Sequence, residues 1–393
     1  MSDPRVEKLA QLLVDYCVSV QPGDNVLLSG SSIALPLLTE TYRAIIHAGG
    51  HPLLNWNEEA FTEIMLKEGN DEQLEHIPEP VKIVYEAYDC LIRIGGNRNT
   101  RALSGVDPSR QQIQRAASRD LFQTMMERSA TGDMRWVGTL FPTHAQAQEA
   151  DMSLDEFETF VYRACHVDKD DPVAEWQKIS KRQQILVDWL AGKKDVKVTG
   201  PDVDLTLSIE GRTFINSDGR HNMPSGEIFT GPVEESVNGW VRFTYPAIFN
   251  GREVEGIVLH FEEGKVVDAS AEKNEAFLLN VLETDAGARY LGEFAVGTNH
   301  GIDRFTKSIL FDEKIGGTIH MAVGAGYPET GSKNQSAVHW DMICNMREGG
   351  EIWVDGELFY ESGSFTFLDG ENGADAAQPP TNQESAATAS APQ

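Results

Sequence analysis

The sequence predicts an α/β N-terminal domain with a mainly parallel sheet, followed by an α+β, strand-rich domain and a disordered, acidic C-terminal tail. Strand and helix signals alternate in the first half, which is typical of a parallel sheet covered by helices. After Val196 this pattern gives way to short alternating strands. Beyond Ser362 the chain loses its apolar periodicity and becomes polar. The length of 393 residues fits two domains of ordinary size.

The first half of the chain supplies the strand–helix units. Asp3 caps a first helix that has Pro4 at its first position. Asn25 to Ser29 has the pattern of a short buried strand, and Ile33 to His47 that of a helix ending at Gly49. The pattern continues with strands over residues 52–56, 90–94 and 136–141 and a helix over 108–128.

A change of pattern places the domain boundary after a long helix. Helices capped near Ser153 and Asp171 follow the last of these strands, and the second ends at Gly192. We therefore predict an α/β domain with this linking helix over residues 1–192 and an α+β domain over 193–361. A hairpin with the turn Glu262-Glu263-Gly264-Lys265 lies in the second domain. Residues 362–393, which are small and polar, are predicted to form the disordered tail.

The charge of the chain excludes several classes of partner. The formal net charge is −28, from 33 basic and 61 acidic residues. Nucleic acid binding needs clustered Lys and Arg, and an acidic surface is repelled by anionic membranes. The sequence also has no apolar run of about 18 residues and no signal-peptide pattern at its charged N-terminus. We expect no nucleic acid or membrane partner and a cytoplasmic location.

Neither the first half of the chain nor the cysteines carry a motif that is typical of a cofactor site. Neither GxGxxG nor GxxxxGK[ST] occurs, so the turn Gly30-Ser31-Ser32 is interpreted as part of a scaffold. The four cysteines are scattered, without CxxC spacing, and are predicted to be buried thiols.

A His-Trp-Asp segment is the clearest chemical feature of the second domain. Its flanks predict a strand on which His339 and Asp341 point to the same face. An imidazole beside a carboxylate suits a cation such as zinc, cobalt or manganese. The pattern alone is more often that of a hydrogen-bonded His–Asp pair on a surface strand.

A second segment carries a histidine and a tyrosine. His320 lies in an otherwise apolar run, where a histidine is more often a core residue than a ligand. Tyr327 follows the flexible turn Gly324-Ala325-Gly326. A tyrosine on such a turn can reach a reaction centre as an acid or as an oxyanion donor, although packing beside Pro328 is the alternative.

Three glutamates complete the set of candidate ligands. Glu227 follows the rigid Pro-Ser-Gly turn, and Glu293 is the only charged residue in an apolar strand, where an unpaired carboxylate would be costly to bury. Glu313 is less distinctive and can equally be a solvated residue. Carboxylates together with one or two histidines are the ligands that a two-metal hydrolase needs.

The order of these segments resembles a known family. The segments are NMPSGEIFTGP, YLGEFAVGTN, LFDE, TIHMAVGAGYP and SAVHWDMI, with EFETFVYRACHVD before the linking helix. They are similar to those of the M29 metallopeptidases, of the aminopeptidase T type, over most of the chain up to about Gly356. The chain departs from the family pattern after Glu313, where Lys314-Ile315-Gly316-Gly317 precedes the first histidine.

The resemblance implies roles for individual residues. Glu293 would bridge two metals, and Tyr327 would stabilise the tetrahedral intermediate. The further metal ligands that it implies are Glu227, Glu313, His320, His339 and Asp341.

The resemblance also implies a function. It is that of a metal-dependent aminopeptidase with broad or leucine-like preference, in which two divalent ions (Zn, Co, Mn or Mg) activate a water and polarise the peptide carbonyl. The expected substrate is a peptide, and the expected assembly is a homodimer whose N-terminal domain restricts entry to the site. The alternatives are another two-metal hydrolase, such as an amidase or phosphoesterase, and a metal-stabilised binding protein without turnover. HExxH and GxSxG motifs are absent, which disfavours single-zinc and serine mechanisms.

Overall fold

A computed structural model of the protein describes residues 3–368. A five-stranded parallel sheet in the order β2-β1-β3-β4-β8 organises the first half. Its strands are β1 Asn25–Gly30, β2 His51–Trp56, β3 Cys90–Gly95, β4 Arg135–Leu140 and, from the second half, β8 Asn222–Met223. The continuous apolar runs of β1 and β3 are buried, as expected for central strands of a parallel sheet.

Helices cover this sheet, and more of them form than the sequence analysis predicted. The helices are α1 Pro4–Leu12, α2 Leu35–His47, α3 Glu59–Glu68, α4 Asp71–Glu75, α5 Glu79–Ala87, α6 Pro108–Ala117, α7 Arg119–Ala130, α8 His144–Glu149, α9 Leu154–Ala164 and α10 Pro172–Leu190. A π-helical turn, Leu13–Cys17, extends α1, and a 3₁₀ turn, Ser32–Ala34, precedes α2. The predicted caps of α9 and α10 at Ser153 and Asp171 are confirmed.

The prediction of a single helix over residues 108–128 is wrong, because the segment forms α6 and α7 with a break at Ser118. The hydroxyl of Ser118 donates to the carbonyl of Gln114, four residues earlier. Such side-chain bonds to the backbone compete with helix continuation and commonly bend a helix.

Antiparallel sheets dominate the second half. Its remaining strands are β5 Asp195–Gly200, β6 Val203–Ser208, β7 Ile215–Ser217, β9 Glu227–Thr230, β10 Asn238–Arg242, β11 Ala247–Phe249, β12 Arg252–Val254, β13 Val258–Glu262, β14 Lys265–Ser270, β15 Leu291–Gly297, β16 Thr318–Gly324, β17 His339–Asn345, β18 Glu351–Val354, β19 Glu357–Glu361 and β20 Ser364–Phe365. Helices α11 Glu275–Leu282 and α12 Ile309–Asp312 and the 3₁₀ turn Pro328–Thr330 connect them. The predicted α/β and strand-rich halves are both confirmed.

Two of these sheets pack on a common core. The orders are β14-β13-β10-β6-β5-β18-β19-β20 and β17-β16-β15-β9-β7, and β11 and β12 form a separate ribbon. Val198 and Leu259 of the first sheet and Phe294 and Trp340 of the second belong to one buried cluster. Burying both apolar faces together leaves the other face of the five-stranded sheet available for polar side chains.

Segments of the second half also complete the first sheet and its core. Strand β8 pairs with β4, although its residues lie beyond the boundary drawn at 192/193. Phe311 and Ile315 pack into the N-terminal core. The side-chain amide of Asn299 donates to the carbonyls of Ala164 and Ser225, which joins the two halves beside the loop that leads to Glu227.

Ordered structure continues beyond residue 361, where the tail was predicted to begin. Strand β20 pairs with β19, and Phe365 is 6% exposed. Its ring lies 5.2 Å from the rings of Phe359 and Tyr360, so aromatic packing holds this segment on the sheet. The rest of the predicted tail, residues 369–393, lies outside the described residues.

The cysteines and helices agree with the composition. All four cysteines are buried free thiols, as predicted. Among residues 3–368, no helix combines the length and the apolar character needed to cross a bilayer.

Candidate metal centre

Five of the predicted site residues share one face of the sheet β17-β16-β15-β9-β7. Directly opposed residues of an antiparallel pair point to the same face, as do residues two apart on a strand. The pairings that fix the face are Glu293 with Ala322, Ala322 with Asp341, Ala295 with His320, Gly324 with His339 and Gly297 with Glu227. The register of four strands therefore gathers these side chains although up to 114 positions separate them in sequence.

The alternating residues of the same strands fix this register. Phe294, Met321 and Trp340 point to the other face and are buried in the common core. A slip by one residue would exchange the two faces, which would place the charged side chains in the apolar core and the apolar side chains in the polar cluster.

Glu293 connects two groups of ligand atoms. Its Oε1 lies 3.3 Å from His320 Nε2, which is also 3.3 Å from Glu227 Oε2. Its Oε2 lies 3.3 Å from His339 Nε2, which is 3.6 Å from Asp341 Oδ1. Each oxygen of one carboxylate thus faces a separate imidazole–carboxylate pair.

The chemistry of Glu227 fits a cation at this place. Its Oε2 is buried and accepts no hydrogen bond from any residue between 3 and 368. A buried carboxylate oxygen without a donor is unfavourable by about 1–3 kcal/mol or more. A divalent cation among the facing nitrogen and oxygen atoms would satisfy it, and imidazole with carboxylate is an ordinary ligand set for such ions.

The ring of His339 is held in one orientation by the backbone. Its Nδ1 lies 2.7 Å from the carbonyl oxygen of Ala325, to which it donates. This contact leaves Nε2 as the nitrogen that faces Glu293 and Asp341. Metal-ligating histidines in proteins are oriented by such a second hydrogen bond.

Glu313 reaches the cluster from outside the sheet. It follows α12 directly, and one of its oxygens lies within 4.8 Å of ligand atoms of His320 and Asp341. Its Oε1 also contacts the ammonium group of Lys314. The structure thus brings Glu313 to the same cluster, although a different element positions it.

Tyr327 lies at the rim of the cluster. It follows the glycine turn at the end of β16, and its ring lies 5.1 Å from that of His339 and 5.4 Å from that of Phe229. The side chain remains 37% exposed. Burial and the nearby carboxylates raise the pKa of its phenol well above the usual value, so the hydroxyl keeps its proton.

Burial and mutual contact shift the pKa values of the acidic and basic groups in the cluster. Burial raises the pKa of Glu227 to about 7 and that of Asp341 to about 6. Burial acts against protonation of His320 and His339, but contact with Glu293 outweighs it and raises their pKa values to about 9 and about 10. Protons thus occupy the two imidazoles in the metal-free protein, and a metal ion must displace them to bind.

Comparison with known proteins identifies the family. A family model described as thermophilic metalloprotease (M29) matches residues 2–365. The chain belongs to the M29 family.

Relatives of the chain are aminopeptidases by name. Aminopeptidase 2 of Geobacillus stearothermophilus is 27% identical, with 93% of this chain and 98% of that protein aligned. Aminopeptidase T of Thermus aquaticus is 30% identical over 68% of this chain and 72% of that protein. The structure of wild-type AmpT from Thermus thermophilus superposes with a TM-score of 0.82 at 23% identity, covering 92% and 99% of the two chains, which shows a shared fold.

These findings confirm the family and the activity that the sequence analysis expected. The protein is a metal-dependent aminopeptidase of the M29 family. The family is one of metalloproteases, and groups of residues suited to a metal are present in this chain.

Two residues of this M29 chain belong to the site but were missed in the sequence. Lys314 is fully buried and contacts Glu313 and Glu227. Gln183 of α10 donates from Nε2 to the carbonyl oxygen of Glu227 at 3.0 Å, and so holds the backbone of β9. Lys314 follows Asp312 and Glu313 in a charged segment, so the sequence around it indicates a solvated residue. The pattern around Gln183 gave no signal.

Proposed function

We propose that this aminopeptidase uses a centre of two divalent cations that share the carboxylate of Glu293. The observation that carries the proposal is that Glu293 Oε1 and Oε2 each lie 3.3 Å from a different histidine. The proposed ligands are Glu227, Glu293, Glu313, His320, His339 and Asp341.

The residues of the centre suggest how the reaction is organised. Two bound cations would lower the pKa of a water and polarise the carbonyl of the scissile peptide bond. Tyr327 keeps its proton and its ring lies beside that of His339, which supports a role for its hydroxyl as the donor to the developing oxyanion. The free amine of a peptide N-terminus would ligate one of the cations or meet a nearby carboxylate, which suits removal of terminal residues.

Metal content and activity of Glu293→Ala test the proposal. Because this carboxylate faces both groups of ligands, we expect the variant to lose bound metal at both positions and leucyl-substrate hydrolysis to fall at least about 100-fold. The exposed Glu262 in the hairpin turn offers a control, and Glu262→Ala should keep both metal and activity. A Glu293→Ala enzyme with two metals and full activity would refute the site.

The native metal and the substrate preference are separate parts of the proposal. Mixed imidazole and carboxylate ligands suit Zn, Co or Mn, and carboxylates also accept Mg. We propose broad or leucine-like preference for the N-terminal residue. Titration of the metal-free enzyme with each ion, followed by hydrolysis of a panel of aminoacyl substrates, tests both parts.

We also propose that the enzyme is a cytoplasmic homodimer whose domain over residues 1–192 limits access to the centre over 193–361. Support for a partner surface comes from the edge strand β2, where Leu53, Leu54 and Trp56 are 41–42% exposed. Light scattering coupled to gel filtration measures the assembly, and a monomer at micromolar concentration would contradict it.

A further inference from the structure

Lys314 is a buried cation inside the acidic cluster. Its side chain is 0% exposed, and its Nζ lies 3.7 Å from Glu227 Oε1 and in contact with Glu313 Oε1. Its backbone is held on both sides, since its N–H donates to Phe311 and its carbonyl accepts from Asn299. The backbone therefore fixes where the side chain begins, and burial with the two carboxylate contacts holds the ammonium group.

The ammonium and the histidine contact opposite oxygens of Glu227. Oε1 faces Lys314 at 3.7 Å, whereas Oε2 faces His320 at 3.3 Å. Glu313 likewise contacts Lys314 and also approaches His320 and Asp341. One buried positive charge thus contacts two of the proposed ligands.

We propose that Lys314 is an internal counterion of the metal centre, which holds Glu227 and Glu313 in place and weakens the affinity of the centre for divalent cations. The inference rests on the ligand set proposed above. Without metal, the lysine offsets part of the mutual repulsion of the carboxylates. With metal, it remains as a positive charge next to the cation and limits Glu227 to one ligating oxygen.

The direction of the effect on affinity follows from charge. Two cations a few ångströms apart in a buried site repel each other, and the repulsion is stronger there than in water. Removal of the ammonium also frees both glutamates for the metal. We therefore expect tighter binding after its removal, whereas a lysine that served only packing would give weaker or unchanged binding.

The test compares Lys314→Met and Lys314→Gln with wild type. Metal affinity is measured by competition with a chelator. The melting temperature is measured with and without metal, and the visible spectrum of the Co(II)-loaded protein reports the coordination. We expect affinity to rise at least about tenfold, the metal-induced rise in melting temperature to increase, and the Co(II) spectrum to change. A variant that folds only in the presence of metal would also support the proposal, because unpaired buried carboxylates destabilise the metal-free protein.

A matched control is available on the surface. Lys273 also contacts two glutamates, Glu253 at 2.6 Å and Glu255, but it is exposed and lies outside the cluster. Lys273→Met should leave affinity and spectrum unchanged.

Two outcomes overturn the proposal: metal binding in the Lys314 variants that is no tighter than in wild type, or variants that fail to fold even in excess metal. Failure of the ligand set is a different result. In that case wild type and Glu293→Ala would bind metal equally, whatever the Lys314 variants do.

Discussion

Glu293 could be singled out as a candidate site residue from the sequence alone. It is the only charged residue of a buried strand, and a carboxylate in that setting needs a partner. His320 also lies in an apolar run, but its interpretation depended on which residues lie opposite to it, and the register alone supplies that information.

Lys314 could not be assigned from the sequence for a related reason. A lysine beside a glutamate is normally a solvated residue, since lysine is almost never fully buried unless it is paired. Its partner Glu227 is distant in sequence, and only the packing of α12 against the N-terminal core brings the two together. Neighbouring residues in the sequence therefore indicated the candidate ligands but gave no indication of the proposed counterion.

Tyr327→Phe tests the role of the hydroxyl at the rim. The phenol keeps its proton and lies beside His339, so its removal should lower kcat by about 10²- to 10³-fold, as for other oxyanion donors. KM and metal content should stay within about twofold, because the ring still packs on Phe229.

The control for this variant is Tyr85→Phe, which removes a hydroxyl that accepts from Arg93 on the exposed side of the N-terminal sheet. It should have wild-type kcat. Unchanged kcat in Tyr327→Phe would remove this tyrosine from the mechanism.

At the scale of elements, the sequence predicted strands that carry candidate ligands and missed some of the connecting elements. The strand over the His-Trp-Asp segment is confirmed as β17, and His339 and Asp341 do share a face. Helices α3 to α5 were not predicted, and β8 was not expected in the first sheet. A two-residue strand has too few residues to show a period, so its partner is decided by tertiary packing alone.

The turn that follows β16 is a point where one residue decides the geometry of the site. Gly324 has a φ of +101°, and a Cβ there would overlap the carbonyl oxygen of Val338. The same turn supplies the Ala325 carbonyl that orients His339. Both the conformation and the space therefore require glycine.

Gly324→Ala should lower the free energy of unfolding by about 2–4 kcal/mol, since it combines an unfavourable backbone conformation with a steric clash. Gly356→Ala is the matched control, because Gly356 has a φ of +80° but open space around a Cβ. It should lose only about 1 kcal/mol. Urea denaturation of the metal-free proteins measures both, and equal losses would show that the clash at Val338 is relieved by movement of the turn.

At the scale of the whole molecule, two contributions of opposite sign to the free energy of unfolding depend on salt concentration. The chain carries 61 acidic and 33 basic residues, so like-charge repulsion acts across its surface. The structure also has ion pairs between exposed side chains, such as Lys194 with Glu210 and Arg242 with Glu272. Exposed pairs contribute only about 0–1 kcal/mol each, and many contribute nothing measurable.

Repulsion should therefore outweigh the ion pairs, and salt should stabilise the protein. The Debye length shortens from about 10 Å at 0.1 M to about 3 Å at 1 M, which screens most of the surface charges from one another. We expect the melting temperature of the enzyme to rise when sodium chloride is raised over this range. Sucrose stabilises compact states without screening charge, so it serves as a control for general solute effects. Variants with fewer acidic surface residues should lose the rise in melting temperature with salt and keep the rise with sucrose. A melting temperature that falls with salt would mean that attraction within the ion pairs outweighs the like-charge repulsion from the net negative charge.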